Sequence, residues 1–239
     1  MIGRFLEISV FTPEIRESLA FYEALGFEQA KVGEVWPYPY AVVTDGRLFI
    51  GLHAQRIQAP TLTFVVPRMR QHVPQLEQAG VQFESIDLSD DTFHQATLKD
   101  PTGQTLNLLE ARTFSPPQLE HQALESTCGY FVEYGIPTRD AEAALTFWEP
   151  LGFVALEEQA LPFAKLELTS DLLNLAFYRS RAFRQPVLTF EDEHMRERLS
   201  RLRERGLQLS DEMPDTLDDS QNAVLIAPEG TRLLLLQSQ

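Results

Sequence analysis

The chain has 239 residues, 44% of them hydrophobic and 23% charged, which is the composition of a globular protein. Its 20 Lys and Arg against 35 Asp and Glu leave a net charge of −15, which argues against a nucleic-acid partner because the phosphate backbone would be repelled. The single Cys128 excludes an intrachain disulfide, and the chain shows neither a signal peptide nor an apolar run of about 18 residues. We therefore expect a cytoplasmic protein that does not enter a membrane.

The first elements follow in a regular order. Residues 4–11 alternate as a strand does, and Thr12-Pro13-Glu14 then begins a helix that ends at Gly26. Three strand-like stretches come next, at 27–35, 39–44 and 47–54. The last two are joined by Asp45-Gly46, a strong hairpin signal.

The same order then begins again. Residues 61–66 predict a strand, 69–79 a helix that ends at Gly80, and 82–86 a strand. Residues 93–99 and 104–110 predict a hairpin around Pro101-Thr102-Gly103. Each unit is therefore strand, helix and three strands. Because strands dominate and the helices are segregated, the fold class is α+β with mixed sheets, not a doubly wound parallel sheet.

The whole pattern is duplicated in the second half of the chain. Residues 5–27 align with residues 131–153 at an offset of 126, as from Glu7 to Glu133, and the offset persists from Leu62-Thr63-Phe64 to Leu188-Thr189-Phe190. We predict two domains, 1–113 and 128–239, joined by a linker at 114–127 that contains Ser115-Pro116-Pro117.

Two strings carry a family resemblance. SLAFYEALGFE after the first strand and KDPTGQTLNLLE at the end of the first half resemble the vicinal-oxygen-chelate superfamily, which includes glyoxalase I, bleomycin-resistance proteins, fosfomycin-resistance enzymes and extradiol dioxygenases. The resemblance covers nearly the whole chain and implies two βαβββ modules in each half, with curved sheets around a cleft. It does not select one function, because such folds host many.

The resemblance also implies a divalent metal held by side chains of the first and last strands of each module. The first ligand lies fourteen residues before the helix aromatic Phe21 or Phe147, at Glu7 and Glu133. The other ligand positions hold residues that bind metals poorly: Gly51, Thr61 and Asn107 in the first half, and Asn174, Val187 and Leu234 in the second.

Several side chains are candidates for a binding site. Glu7 and Glu133 lie within otherwise apolar strands, where an unpaired carboxylate is costly, so each needs a partner or a ligand; Arg232 is a possible partner of Glu133. The aromatic residues Trp36, Tyr38 and Tyr40 are able to wall a pocket.

Other residues extend this set. His53 lies two residues beyond Gly51 and faces the same side, so Glu7 and His53, with Asn107 or His94, are a possible shifted metal site. The competing interpretation is that both histidines are ordinary structural or surface residues.

We therefore predict a monomeric or homodimeric protein of the glyoxalase/bleomycin-resistance type. It binds a small organic molecule in the first-half cleft without a metal cofactor, and the acidic charge slightly favours a cationic ligand. One alternative is a divalent-metal-dependent lyase or dioxygenase with a degenerate site at Glu7 and His53. Another is a non-catalytic structural or interaction protein.

Overall fold

The architecture is that of a computed structural model, which describes residues 1–32, 36–91, 93–111, 126–156, 158, 160, 162–179, 183–214 and 216–238. Most of the predicted linker, including Ser115-Pro116-Pro117, lies outside these residues. No helix in the described part of the chain is both long and apolar enough to span a membrane.

The first half forms two βαβββ modules, as the sequence predicts. Its elements are β1 (Arg4–Phe11), α1 (Ile15–Ala24), β2 (Glu28–Ala30), β3 (Tyr40–Thr44), β4 (Phe49–His53), β5 (Thr61–Val66), α2 (Met69–Gln78), β6 (Phe83–Asp87), β7 (Gln95–Lys99) and β8 (Thr105–Glu110). The second strand is shorter than the predicted 27–35. The Asp45-Gly46 hairpin is confirmed: Asp45 Oδ1 accepts from the amides of Arg47 and Leu48 at 2.9 and 2.8 Å, and Gly46 takes a positive φ of 90°.

The second half repeats this order with one change. Its elements are β9 (Tyr130–Pro137), α3 (Ala141–Trp148), β10 (Val154–Ala155), β11 (Lys165–Thr169), β12 (Asn174–Tyr178), β13 (Val187–Asp192), α4 (Met195–Glu204), β14 (Ala223–Ile226) and β15 (Arg232–Gln237). In the last module, the strand that would correspond to β6 is reduced to one bridge, between Ser210 and Val224. This half therefore contributes seven strands to its sheet.

Two mixed sheets result, one from each half. Their strand orders are β2-β3-β4-β1-β5-β8-β7-β6 and β10-β11-β12-β9-β13-β15-β14. In both, the pairs β4–β1 and β5–β8, or their counterparts, are parallel, whereas the central pair β1–β5 or β9–β13 is antiparallel. The register places Glu7 opposite Thr63, and Thr63 opposite Asn107, so these three side chains form one row across the sheet.

The halves are joined by a common core. One buried apolar cluster contains residues of both, and aromatic contacts cross between them: the ring centroids of Phe27 and Phe190 lie 6.3 Å apart, and those of Phe64 and Trp148 lie 6.4 Å apart. Trp148 Nε1 also donates to Asp100 Oδ2 at 3.1 Å. Each sheet is therefore held in place by the other half as well as by its own helices.

Candidate functional site

The centre of the first-half site is Glu7, a buried carboxylate in the middle of the sheet, only 3% exposed. Ser9 Oγ and His53 Nε2 approach its Oε1 at 2.8 and 3.1 Å, and the Tyr40 hydroxyl donates to its Oε2. Ser9 also contacts the hydroxyl of Thr63 at 2.7 Å. Three donors thus compensate the loss of water around one carboxylate, which explains how the strand accommodates it.

A glycine on the neighbouring strand makes room for this carboxylate. A Cβ added to Gly51 would lie 2.1 Å from Glu7 Oε1, far inside van der Waals contact. Gly51 is one of the positions at which the family resemblance implies a metal ligand. Here the Glu7 side chain fills the space that such a ligand would need.

Hydrogen bonds align His53 with Tyr38. His53 is 2% exposed, and its Nδ1 lies 3.1 Å from the Tyr38 hydroxyl. Because the Glu7 carboxylate only accepts, Nε2 of His53 carries the proton and Nδ1 accepts from Tyr38. The result is a continuous chain from Tyr38 through His53 to Glu7.

The aromatic residues predicted from the sequence do come together around His53. Trp36 and Tyr38 stack with centroids 5.5 Å apart, Trp36 meets His53 edge-on at 5.7 Å, and Tyr40 lies 4.6 Å from the same ring. Burial and the nearby Glu7 carboxylate raise the pKa of Tyr38 to about 12, and the same causes hold the pKa of Tyr40 well above its usual range. Both phenols are therefore neutral hydrogen-bond donors at physiological pH.

Beside this cluster lies a pocket of about 410 Å³. It is lined by Ser9, Trp36, Pro37, Tyr38, His53, Gln55, Ile57, Gln58, Thr61, Gln95, Thr97, Thr105 and Asn107. Glu7 and Tyr40 lie behind this lining, where Glu7 is hydrogen-bonded to His53 and the Tyr40 ring packs on it. None of the lining side chains that the structure describes is a carboxylate, ammonium or guanidinium, and they combine an aromatic wall with polar groups.

Asn107 carries an unsatisfied atom at this pocket. Its Oδ1 is buried and has no hydrogen-bond partner within the described part of the chain. Leaving a buried acceptor unpaired costs about 1–3 kcal/mol.

The second half has a related cluster with different chemistry. Glu133, also 3% exposed, accepts two hydrogen bonds from Lys165 Nζ, at 3.0 and 2.9 Å, and one from the Tyr178 hydroxyl at 2.6 Å. In the sheet register, Tyr178 replaces His53 and Lys165 replaces Tyr40. The buried carboxylate, which Ser9, His53 and Tyr40 satisfy in the first half, is here satisfied by a lysine and a tyrosine.

Two expectations about this half are wrong. Arg232 does not pair with Glu133; its guanidinium binds Glu212 at 2.9 Å, because β13 separates Arg232 from the strand that carries Glu133. The position equivalent to Gly51 is held by Ala176, not by Asn174, because Gly51 pairs with Ser9 and Ala176 pairs with Gly135, the counterpart of Ser9.

Apolar side chains fill the place that corresponds to the pocket. Phe163 and Phe183 pack on Tyr178 with centroids 5.7 and 5.4 Å away. They belong to a cluster in which the positions of Thr61, Thr97 and Asn107 are taken by apolar residues, namely Val187, Val224 and Leu234. The two halves have therefore diverged at the site, one keeping a polar pocket and the other closing it.

Comparison with known proteins finds similarity in structure only. No family model and no curated protein matches the sequence. Among solved structures, a catechol 2,3-dioxygenase matches at a TM-score of 0.58 with 17% identity, over 98% of this chain and 87% of the other. A homoprotocatechuate 2,3-dioxygenase variant from Brevibacterium fuscum matches at a TM-score of 0.63 with 14% identity, over 100% of this chain and 72% of the other. A Mn(II)-bound glyoxalase from Novosphingobium aromaticivorans matches at a TM-score of 0.60 with 12% identity, over 98% of this chain and 81% of the other.

The chain shares the fold of these dioxygenases and of this glyoxalase. The resemblance predicted from the sequence is confirmed at the level of architecture. At these identities the similarity does not extend to chemistry, which depends on the residues of the site.

The residues of this chain do not fit the divalent metal that the fold implies. Glu7 and His53 are hydrogen-bonded to each other, and both oxygens of the carboxylate already accept from protein donors. Nowhere in the described ranges do three His, Cys, Asp or Glu side chains converge as a ligand set. His94, the further candidate, instead contacts Glu110 at 2.9 Å. A site for a divalent ion normally needs three or more protein ligands.

Proposed function

We propose that the protein binds a small planar organic molecule in the first-half pocket without a metal ion. The observation that carries this proposal is the contrast between the halves. The same sheet position is a pocket with an aromatic wall and a polar lining in one half, and a packed apolar cluster in the other. Pockets of this size and mixed lining are typical of small-molecule sites.

Charge narrows the class of ligand. The Glu7 carboxylate lies directly behind the lining residue His53, and Trp36 and Tyr38 offer aromatic faces. Aromatic faces and a carboxylate attract a cation and repel an anion. The ligand is therefore cationic or neutral, with a planar group that stacks against Trp36.

Three isosteric probes test this charge preference. Benzamidine, benzamide and benzoate share one flat shape but are cationic, neutral and anionic. We expect the first two to quench the fluorescence of Trp36, and benzoate to bind roughly tenfold more weakly than benzamidine, a difference of about 1.4 kcal/mol. The chain has two tryptophans, and Trp148 is fully buried in the core, so Trp36→Phe should abolish the signal.

A matched pair of variants tests the role of Glu7. Glu7→Gln replaces one acceptor oxygen by a donor, so either Tyr40 or both Ser9 and His53 lose their acceptor and the pocket wall is released. We expect it to abolish binding of benzamidine, whereas Glu133→Gln in the closed half leaves binding intact. Equal binding by both variants would show that Glu7 has no part in the site. A near-stoichiometric divalent ion in protein purified without a histidine tag would contradict metal independence.

A further inference from the structure

The chain Tyr38–His53–Glu7 has a feature that ligand binding alone does not require. Its two hydrogen bonds are each 3.1 Å, and it ends at a phenol hydroxyl in the wall of the pocket. Its other end is fixed, because Ser9 and Tyr40 hold the carboxylate of Glu7. A buried carboxylate that orients a histidine, which in turn accepts from a hydroxyl, is an arrangement that moves protons.

We infer that this chain is a proton relay that makes the pocket a metal-independent acid–base catalyst, with Tyr38 as the catalytic residue and His53 and Glu7 acting through it. The inference rests on the proposed binding function, since the substrate must first occupy the pocket. The reaction class is proton transfer at carbon next to a carbonyl group, as in isomerisation or epimerisation.

The step conserves atoms and electrons without a co-reactant. The substrate C–H bond breaks and its proton bonds to the Tyr38 oxygen, while the Tyr38 O–H bond breaks and that proton bonds to His53 Nδ1. The C–H electron pair becomes the C=C bond of an enolate, and the C=O π pair moves onto the carbonyl oxygen. His53 becomes an imidazolium whose Nε2–H still donates to Glu7. The reverse transfer to the same or to a conjugated carbon completes the reaction, with no oxidation or reduction.

The surroundings suit this role. Tyr38 has a pKa of about 12, raised by burial and by Glu7, so it keeps its proton at neutral pH and passes it on only as it receives another. Stacking on Trp36 fixes the Tyr38 ring, and the buried Glu7 carboxylate stabilises the imidazolium as it forms. The second half lacks this relay, because the histidine position is Tyr178 and its hydroxyl already donates to Glu133.

The pocket also defines the class of substrate. The aromatic wall takes a flat ring, and neutral polar side chains such as Thr97 and Asn107 line the pocket for a polar substituent. Among the described residues, no Lys or Arg side chain lines the pocket to hold a carboxylate. A neutral aryl ketone with a benzylic C–H beside its carbonyl meets these requirements.

Hydrogen exchange on such a ketone tests the inference. The probe is β-tetralone in heavy water, with full-length protein treated with a chelator, and proton NMR follows loss of the benzylic signal. We expect the wild type to accelerate exchange. Tyr38→Phe should lower the accelerated rate roughly a hundredfold, which is the lower end of the rate contribution of a general acid–base group. The affinity for β-tetralone, measured by Trp36 quenching, should stay nearly constant in that variant. Tyr130→Phe, at an exposed tyrosine in the other half, should exchange as the wild type does.

The outcomes separate the two proposals. If β-tetralone quenches Trp36 but exchange is the same in wild type and Tyr38→Phe, the relay is overturned and the binding function stands. If neither β-tetralone nor benzamidine quenches Trp36, both fall. Nitrogen NMR of His53 in the free protein provides a second measurement: the relay requires a proton on Nε2 and none on Nδ1, and the opposite tautomer would contradict it.

Discussion

Substitution of Gly51 or Gly135 by alanine should affect the two halves differently. Gly51→Ala would place Cβ 2.1 Å from Glu7 Oε1, and Gly135→Ala would place it 2.3 Å from the Tyr178 ring. We expect each to lower the free energy of unfolding by about 1–3 kcal/mol, because both sites are already filled. Only Gly51→Ala should also abolish benzamidine binding, since it displaces Glu7 and with it His53. Urea denaturation and Trp36 quenching measure the two effects; unchanged benzamidine binding in Gly51→Ala would contradict the proposed role of the Glu7 cluster.

The sequence predicted several residues of the site but not their contacts. Glu7 was identifiable because a carboxylate in an apolar strand needs a partner, and His53 because it shares a face with Gly51. Ser9 was missed, although it lies on the same face of β1 as Glu7 two residues away. Gln58 and Thr97 line the pocket from a loop and a distant strand, and no local pattern places them there. The Lys165 partner of Glu133 was missed because it depends on the register of β11.

Among the elements, strands β9, β11 and β12 are linked by a buried ion pair. Burial lowers the pKa of Lys165, but Glu133 and Glu167 more than offset that effect and leave it raised, so the ammonium is charged. Lys165→Met should therefore lower the free energy of unfolding by about 3–5 kcal/mol, because it leaves the buried Glu133 carboxylate without its charged partner. The double variant Lys165→Met/Glu133→Leu should recover most of this loss. A double-mutant cycle by urea denaturation measures the coupling, and strictly additive effects would show that the pair contributes nothing.

Elements with local signals were predicted closely, and pairing between distant strands was not. The strands at 4–11 and 61–66, the helices and the Asp45-Gly46 hairpin follow from side-chain period, caps and turn residues. The parallel pairing of β1 with β4 and of β5 with β8 joins strands that are distant in sequence, and local pattern does not encode it. The loss of a strand before β14 is likewise a property of the sheet edge.

For the whole molecule, the repeat predicted two similar halves but not the way they lock together. Tyr22 and Trp148 hold equivalent positions in α1 and α3, and each side chain reaches a turn of the other half. The Tyr22 hydroxyl donates to Glu229 at 2.7 Å, and Trp148 Nε1 donates to Asp100 at 3.1 Å. Sequence alignment shows that the aromatics correspond, but only the packed structure shows that their partners lie across the pseudo-symmetric interface.

This exchange of contacts predicts that the halves unfold together. Trp148→Phe leaves Trp36 to report on the first half, and Trp36→Phe leaves Trp148 to report on the interface and the second half. Because Phe27, Phe64, Phe190 and Trp148 form one buried core, neither sheet should retain its structure once the other is lost. In each variant we expect the urea midpoint from tryptophan fluorescence to coincide with the midpoint from far-ultraviolet circular dichroism. Trp148→Phe should be the less stable variant, since it loses the hydrogen bond to Asp100 as well as ring area in the core. Two separated midpoints within either variant would show that the halves are independent folding units and that the interface contributes little to stability.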